Sequence, residues 1–247
     1  LANRIRDLNG EDLMRILALS DAPYPALYSS FERARWAGVR LVLGCGDLPA
    51  EYLDFVATSL GAPLLYVRGN HDQQMQDTSA FVGENIDRRL VVCGGLRILG
   101  FEGCAWYGGK GVEFTQREMA WRVWRTYLAL WRAGGVDIVV SHAPPELSAE
   151  VAPAAELSES ILSPARADDY RYVTAEPGPS DPAHRGFDAF TALIKRFRPR
   201  LWLHGHTHLN YSRAARVRRL GDTFVANAYE YVLSDLEPRV PPASQGR

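Results

Sequence analysis

Short, continuous apolar runs alternate with helix-like segments along most of this 247-residue chain. Strands that are apolar at almost every position are typical of a parallel β-sheet that is covered on both faces, because neither side of such a strand meets solvent. The pattern therefore predicts an α/β protein. Its buried strands are predicted at residues 15–20, 40–44, 63–67, 136–140 and 200–203.

The segments between these strands predict the rest of the domain. Helices are expected at residues 29–36, 51–59, 115–132 and 187–197. A hairpin is expected at 89–93 and 97–100, where Gly94-Gly95 forms the turn, and closing strands at 215–220 and 223–227. In the helix at 115–132, an aromatic series has helical spacing and is interpreted as core packing. The series is Trp121, Trp124, Tyr127 and Trp131.

These elements predict one domain over residues 14–235. Residues 1–13 are interpreted as an N-terminal extension, and the Pro-rich residues 236–247 as a mobile tail. Residues 146–183 are rich in Pro, Ala, Ser, Asp and Glu. They are interpreted as a surface excursion beside the functional site rather than a second domain.

Composition and charge limit the kinds of molecule that the protein is expected to bind. The net charge of −1 argues against a general attraction to nucleic acid or to an anionic membrane, without excluding a local basic patch. Residues 1–13 lack the apolar core of a signal peptide, and no apolar run reaches the ~20 residues of a membrane span. We therefore expect a cytoplasmic protein with no membrane partner and with nucleic acid disfavoured. The oligomeric state stays open.

Polar residues that can bind metal follow five of the strand-like segments. The loops beyond the carboxyl ends of parallel strands converge, so residues far apart in sequence are expected to meet there. Each motif alone is compatible with an ordinary turn or helix cap, but their conjunction at strand ends favours a metal site. Carboxylate, amide and imidazole ligands without cysteine suit Mn²⁺, iron or Zn²⁺ and argue against a structural zinc site. The residues are Asp21, Asp47, Asn70 with His71, His142, and His206 with His208.

In this order the motifs resemble those of the calcineurin-like metallophosphoesterase superfamily, from residue 14 to near residue 230. The resemblance implies a four-layer αββα sandwich, in which two mixed β-sheets are flanked by helices. It also implies two divalent metal ions at the loop edge of the sheets, with Mn or Fe favoured and Zn as an alternative. The matching motifs are Asp21, Gly46-Asp47, Gly69-Asn70-His71-Asp72, Ser141-His142-Ala143-Pro144 and Gly205-His206-Thr207-His208.

The resemblance further implies a role for each matching residue. Two of them act on the substrate: His71 beside the leaving oxygen as general acid, and Asp72 as the residue that orients His71. The implied reaction is hydrolysis of a small phosphodiester or phosphomonoester by a metal-bridging hydroxide, with the diester favoured. The implied metal ligands are Asp47 for both ions, Asp21 and His208 for the first ion, and Asn70, His142 and His206 for the second.

One motif departs from the family pattern. The family's Asp-x-His is here Asp21-Ala22-Pro23, and proline cannot bind a metal ion. Water, Tyr24 or Tyr28 in the same loop, or the distant His184 would have to complete the first site. Otherwise that site binds its ion weakly, so two unequal sites are expected.

Residues beside the motifs have two interpretations each. His184 either caps the following helix together with Asp181, or faces the site with Arg185, where the two contact a substrate phosphate or a metal ion. Arg68, directly before the motif at residues 69–72, either faces the site in the same way or takes part in a structural ion pair, and the ion pair is favoured.

Two alternative functions stay open beside phosphoester hydrolysis. The missing histidine at Pro23 favours a catalytically impaired protein that uses the fold for binding or as a scaffold. A phosphoprotein phosphatase is not excluded by any feature of the sequence. A catalytic protein is favoured because six residues of the family pattern are intact: His71, Asp47, Asn70, His142, His206 and His208.

Overall fold

The structure is a computed structural model that describes residues 5–6, 12–72, 81–109, 111–147, 185–209 and 216–239. The helices are α1 (Ala50–Leu60), α2 (Gln116–Trp124), α3 (Tyr127–Arg132) and α4 (Asp188–Phe197), with 3-10 helices at Pro25–Leu27 and Arg33–Trp36. The strands are β1 (Ile5–Arg6), β2 (Asp12–Leu19), β3 (Val39–Gly44), β4 (Leu64–Tyr66), β5 (Glu84–Asn85), β6 (Leu90–Cys93), β7 (Leu96–Phe101), β8 (Cys104–Ala105), β9 (Glu113–Phe114), β10 (Ile138–Ser141), β11 (Leu201–His204), β12 (Val217–Leu220), β13 (Thr223–Asn227) and β14 (Val232–Leu236).

Twelve of these strands form two mixed sheets. In the first sheet, β2, β3, β4 and β5 run parallel, and both β1 and β14 pair antiparallel with β2. In the second sheet, β13, β11, β10 and β7 run parallel in that order, with β12 and β6 antiparallel at the two edges. The predicted hairpin of β6 and β7 is confirmed.

Alternating burial along the strands produces four layers. Ile16 and Ala18 of β2 pack between the two sheets, whereas Leu17 and Leu19 of the same strand pack on the opposite face under α1. In the second sheet, Trp202 similarly packs under the other helices. Because successive strand residues point to opposite faces, strands that are buried on both sides must be apolar throughout. The predicted αββα sandwich is confirmed.

The strand register aligns the carboxyl ends of the parallel strands. Leu19 of β2 pairs with Gly44 of β3, and Gly44 pairs with Tyr66 of β4. In the second sheet, Ser141 at the end of β10 pairs with Phe101 at the end of β7. The loops that follow these strands therefore leave each sheet at one edge, as the sequence predicts.

The helix predicted at residues 29–36 is wrong. Two short 3-10 helices stand in this part of the chain, and the first has a proline at its start. The indole N–H of Trp36 donates to the carbonyl of Ala26 at 3.2 Å, and the Trp36 ring packs at 5.2 Å from the ring of Tyr231. Side-chain contacts of Trp36 thus hold the segment in tight turns rather than one regular helix.

The long helix predicted at residues 115–132 is interrupted. Thr115 begins α2 with a capping box, in which it bonds reciprocally with Glu118. The buried Thr126 then ends the regular pattern, because both its N–H and its hydroxyl donate to the carbonyl of Val123, three residues back. The axis continues into α3, since Arg125 and Thr126 keep right-handed helical backbone angles.

The interpretation of the aromatic series as core is wrong for its three tryptophans, whereas Tyr127 is partly buried and packs against the core of the second sheet. The side chains that α2 and α3 bury against the second sheet include Met119, Val123 and Leu130. The tryptophans occupy the opposite side of the helices and are exposed, with relative accessibilities of 52% for Trp121, 66% for Trp124 and 73% for Trp131. Helical spacing correctly placed them on one face, but the layer beneath the helices covers the other face.

Several strands have no counterpart in the sequence prediction. β14 completes the first sheet beside β2, and its last residue falls in the predicted tail at 236–247. β2 begins at Asp12 and pairs with β1, inside the segment interpreted as an extension. The predicted excursion at 146–183 lies almost entirely outside the described residues. Among the helices that the structure describes, none is both long and apolar enough to cross a membrane.

A buried ion pair joins strands of the second sheet at their starting ends, opposite the end from which the aligned loops leave. The Asp137 side chain is fully buried, and its carboxylate accepts hydrogen bonds from the backbone N–H and the guanidinium of Arg97 at 2.9–3.0 Å. The Asp137 carbonyl accepts the N–H groups of Arg200 and Leu201. Asp137 therefore fixes the starts of β7, β10 and β11 relative to one another.

Replacing Asp137 by Ala should lower the free energy of unfolding by about 3 kcal/mol, because Arg97 would lose its buried partner. Urea unfolding followed by circular dichroism measures the change. The matched control is Asp222→Ala, whose carboxylate is 77% exposed and lies 3.9 Å from Arg219. That control should change stability by less than ~0.5 kcal/mol. Equal effects of the two variants would contradict the structural role of Asp137.

Candidate functional site

Two aspartates leave the first sheet in unusual backbone conformations. Asp21 follows β2 and Asp47 follows β3, with φ angles of +64° and +56°. Left-handed backbone is uncommon for residues other than glycine, although Asp adopts it more readily than most. The Asp21 N–H donates to the carbonyl of Gly46 at 3.2 Å, and the hydroxyl of Ser20 donates to the same carbonyl at 3.1 Å. These bonds hold the two loops side by side.

Gly46 is needed where three loops approach one another. Its φ angle is +95°, and a Cβ atom at this position would lie 2.6 Å from Nδ1 of His142 and 2.5 Å from the backbone nitrogen of Gly69. Any side chain here would separate the first sheet's loops from His142, which belongs to the second sheet. The glycine of the Gly-Asp motif therefore lets the two sheets meet at this edge.

His142 is buried at the end of β10 and contacts three loops. Its Nδ1 lies 2.9 Å from the carbonyl oxygen of Cys45, and its Nε2 lies 2.9 Å from Oδ1 of Asn70 and 3.3 Å from Oδ2 of Asp47. Burial on its own lowers the pKa of His142. The hydrogen bond and charge of Asp47, with the charge of Asp21, outweigh burial and raise that pKa to about 9.

The loop after β11 brings two further histidines to the same place. The backbone N–H of His206 donates to both carboxylate oxygens of Asp21 at 3.0 Å, and its φ angle is +66°. The ring of His206 lies 4.9 Å from the ring of His142. Nε2 of His208 lies 3.4 Å from Oδ1 of Asp21. The structure thus brings together all six residues that the resemblance implies as metal ligands.

The donor atoms fit a divalent cation. One ligand atom from each of Asp21, Asp47 and His142 lies within 4.8 Å of the others. Burial raises the pKa of Asp21, whereas the hydrogen bond and charge of His142 overcome burial and lower the pKa of Asp47. Two carboxylates buried this closely repel each other, and a cation between them would relieve that repulsion. Carboxylate oxygen and imidazole nitrogen are suitable ligands for Mn, Fe and Zn.

His71 lies at the exposed rim of this cluster. Its backbone N–H donates to Oδ1 of Asp47 at 2.9 Å, and the charge of its ring contributes to the lowered pKa of Asp47. Asp72 is expected to orient His71, and that role stays a prediction. Its Oδ2 accepts the backbone N–H groups of Asp47 at 2.7 Å and Gly69 at 2.8 Å, and no described contact joins it to the His71 ring. Asp72 therefore fixes the loops that carry Asp47 and Asn70.

Neither tyrosine suggested to replace the histidine missing at Pro23 is placed at the cluster. The Tyr24 hydroxyl accepts a hydrogen bond from Arg35, and the Tyr24 ring packs 4.6 Å from the ring of Tyr231. Tyr28 packs its ring against Tyr52 and Phe55. These contacts hold the Tyr24 ring against Trp36 and Tyr231 and the Tyr28 ring against α1. His184, the third candidate, lies outside the described residues.

The flanking arginines take part in ion pairs. Arg68 pairs with Glu102 at 2.8 Å, which confirms its structural interpretation. Arg185 is half exposed and lies near Asp188 at 3.6 Å and Glu146 at 3.9 Å. It is not among the residues that the structure brings together at the cluster. A substrate contact by His184 or Arg185 stays a prediction.

Three residues at the site have no motif in the sequence. The Tyr107 hydroxyl accepts a hydrogen bond from Nδ2 of Asn70 at 3.1 Å, which directs Oδ1 of Asn70 toward His142. The side-chain amide of Asn227 donates to the carbonyl of Thr207 at 2.6 Å, and the Tyr229 ring lies 5.3 Å from that of His208. The polar end of β13 was a signal for Asn227 and Tyr229. Tyr107 lies in a loop between two-residue strands and offered none.

Comparison with known proteins agrees with this geometry. The sequence pattern of a family described as calcineurin-like phosphoesterase matches residues 14–210. No curated protein matches the chain significantly in sequence.

Solved structures share the fold. The crystal structure of TT1561 of Thermus thermophilus has a TM-score of 0.58 at 15% identity, covering 92% of this chain and 100% of that one. At this identity the likeness concerns the fold alone. A crystal structure of a Vps29 mutant from Entamoeba histolytica has a TM-score of 0.38 at 15% identity, covering 87% of this chain and 73% of that one, which is too low to support an argument.

Metal binding near neutral pH should release about one proton, because His142 must lose its proton to bind a cation. With its pKa raised to about 9, His142 carries that proton at pH 7 in the metal-free protein. Calorimetric titration with Mn²⁺ in buffers of different ionisation enthalpy measures the release. The affinity should also rise with pH until His142 is neutral. Enthalpies that do not depend on the buffer would contradict this assignment.

Replacing Tyr107 by Phe should weaken metal binding about tenfold, because the Asn70 amide loses the bond that fixes its orientation. Calorimetric titration of the metal-free variant with Mn²⁺ measures the loss. The matched control is Tyr28→Phe, which removes a hydroxyl from a tyrosine in contact with Tyr52 and Phe55. The control should bind like the unmodified protein. Unchanged affinity in Tyr107→Phe would show that Asn70 does not need this bond.

Proposed function

The chain belongs to the calcineurin-like phosphoesterase family, and from this membership we propose that it hydrolyses phosphate esters with two divalent metal ions. The observation that carries the proposal is the cluster of Asp21, Asp47 and His142, whose ligand atoms lie within 4.8 Å of one another. Members of this family are generally metal-dependent hydrolases. The cluster is the arrangement of donors that such a reaction needs.

Six residues would hold the two ions. Asp47 is proposed to contact both, because it lies in contact with His142 and between the loops of Asp21 and Asn70. Mn or Fe is proposed ahead of Zn because the donors mix carboxylate, amide and imidazole groups. When bound, the ions would supply a water of lowered pKa and would withdraw charge from the phosphate oxygens. The proposed ligands are Asp21 and His208 on one side, and Asn70, His142 and His206 on the other.

His71 is proposed as the general acid. It follows Asn70 directly, its side chain is exposed at the rim of the cluster, and its backbone is fixed to Asp47 by a 2.9 Å hydrogen bond. A proton held on the His71 ring can be given to the oxygen that leaves the phosphorus, so that a neutral alcohol departs rather than an alkoxide. Asp72 supports this step by fixing the loop, through its bonds to Asp47 and Gly69.

A phosphodiester is proposed ahead of a phosphomonoester. A monoester dianion carries one more charge than a diester, and it benefits more from a free arginine near the ions. The two arginines beside the site motifs are already engaged, Arg68 with Glu102 and Arg185 with Glu146 and Asp188. This arrangement favours a substrate with a single negative charge.

A binding or scaffold function is the second candidate. Pro23 stands where the family pattern has a metal-binding histidine, and the two tyrosines suggested to replace that histidine pack elsewhere. A protein of this kind would bind metal without turnover. The assays below therefore measure metal content and hydrolysis separately.

Removing metal should abolish hydrolysis, because the proposed nucleophile is a water whose pKa is lowered by the metal ions. The protein is treated with chelator, dialysed and assayed on bis-p-nitrophenyl phosphate and p-nitrophenyl phosphate before and after addition of Mn²⁺. We expect activity to return with Mn²⁺ and to be higher on the diester. Full activity in metal-free protein would exclude the proposed mechanism, and metal binding without any activity would favour the second candidate.

Replacing His71 by Gln should reduce turnover by about 10²–10⁴ while metal content stays near that of the unmodified protein. The loss should be smaller for p-nitrophenyl esters than for alkyl esters, because p-nitrophenolate leaves without being protonated. Steady-state kinetics on both substrates and metal analysis of the same samples measure these effects. A loss of metal in the variant would show that His71 is a ligand rather than the acid.

A further inference from the structure

The helices α2 and α3 carry two apolar stripes on opposite sides. Residues 119, 123, 126 and 130 form the stripe that is buried on the second sheet. The other stripe, at residues 121, 124, 128 and 131, points to solvent. Both stripes follow the three- and four-residue spacing of one helix face. The helices therefore need only one of these stripes to pack in the fold.

The exposed stripe consists of three tryptophans and one leucine. Their relative accessibilities are 52% for Trp121, 66% for Trp124, 55% for Leu128 and 73% for Trp131. These four residues lie within eleven positions of sequence and on one face. A concentrated group of large apolar side chains at the surface is a common sign of an interaction site, whereas isolated ones are ordinary.

Basic side chains border this stripe. Arg125 and Arg132 are exposed on the same two helices, and the Arg125 guanidinium lies 4.6 Å from the Trp121 ring centre. At the end of α4, Arg196 and Phe197 form a shallow depression together with Trp124 and Trp131. The Phe197 ring packs 4.9 Å from that of Tyr127, which places the end of α4 beside α3. We call Trp121, Trp124, Leu128, Trp131, Arg125, Arg132 and Arg196 the Trp–Arg face.

The charge of this face differs from that of the whole chain. The chain carries a net charge of −1, yet α3 contains no acidic residue and the last turn of α4 holds Lys195 and Arg196. In the part of the chain that the structure describes, Arg125, Arg132 and Arg196 form no salt bridge. The one acidic residue of α2 and α3 is Glu118, whose carboxylate is engaged in the capping box with Thr115.

We propose that the Trp–Arg face binds the surface of an anionic lipid bilayer. Tryptophan and arginine on one side of a helix are suited to the interface between headgroups and acyl chains, where the indole ring is buried and the guanidinium meets phosphate. Binding of this kind needs no membrane-spanning helix. It revises the expectation of no membrane partner, which rested on the net charge of the chain and on the lack of a membrane-spanning run.

A second copy of the chain fits this face less well. Pairing two such faces would bring Arg125 and Arg132 of one copy close to the same residues of the other, with Glu118 of each copy already engaged. Like charges brought together during apolar burial oppose association. An anionic bilayer instead supplies negative charge on all sides of the face, and each arginine near it strengthens binding about fivefold.

The test uses the full chain with vesicles of phosphatidylcholine alone, or of phosphatidylcholine mixed with phosphatidylglycerol. Co-sedimentation and the tryptophan emission maximum measure binding. We expect binding and a blue shift with the anionic vesicles only, weakening as salt is raised. Trp124→Ser/Trp131→Ser and Arg125→Glu/Arg132→Glu should each lower the affinity at least about tenfold. Both should keep the thermal unfolding midpoint and the hydrolysis of soluble substrates, because these side chains are exposed and none is among the residues gathered at the cluster.

Matched controls are Val92→Ser and Arg33→Glu, which change an exposed apolar and an exposed basic residue outside the face. Both should bind vesicles like the unmodified protein. The proposal is overturned if the unmodified protein does not bind anionic vesicles, or if the double variants bind as well as the controls. It is also overturned if the protein is a dimer in solution that the tryptophan variants dissociate, since the face would then join two copies.

Discussion

Pairing of buried charges between the two sheets is the interaction on which this structure depends. The Asp21 carboxylate, fully buried at the end of the first sheet, accepts two hydrogen bonds from the backbone of His206 in the second. His142, buried at the end of the second sheet, contacts Asp47 and the Cys45 carbonyl in the first. A buried charge left without such partners costs several kcal/mol. At this site, the loops of the first sheet are therefore stable only when they contact the loops of the second sheet.

This dependence explains the backbone conformations at the site. Asp21, Asp47 and His206 all have left-handed backbone, which side chains tolerate poorly unless the surroundings compensate. The hydrogen bonds that Asp21 and Asp47 make across the loops supply that compensation. The buried Arg97–Asp137 pair stabilises the opposite end of the second sheet.

Some errors in the sequence prediction share one cause. Helical spacing shows which residues of 115–132 share a face, but it does not show which face lies on a sheet. Two apolar stripes have the same spacing, and the sequence prediction placed the stripe with the larger side chains in the core. The side chains that pack on the second sheet are instead Met119, Val123 and Leu130, so the tryptophans are exposed at the surface. In the same way, contacts of Trp36 with distant Tyr231 decided the turns that replace the predicted helix at 29–36.

The sequence by itself determined the principal buried strands and the polar residues at their ends, because apolar periodicity and polar strand ends are local properties of the chain. The four-layer sandwich and the set of six site residues were implied by the resemblance of the motifs to a known family. It determined also that Pro23 breaks the family pattern. Only the tertiary structure decided that Tyr107 orients Asn70, that Asp72 bonds to the backbone of Asp47 and Gly69, and that Tyr24 and Tyr28 pack away from the cluster. These contacts join residues distant in sequence, and their geometry exists only once both sheets have packed.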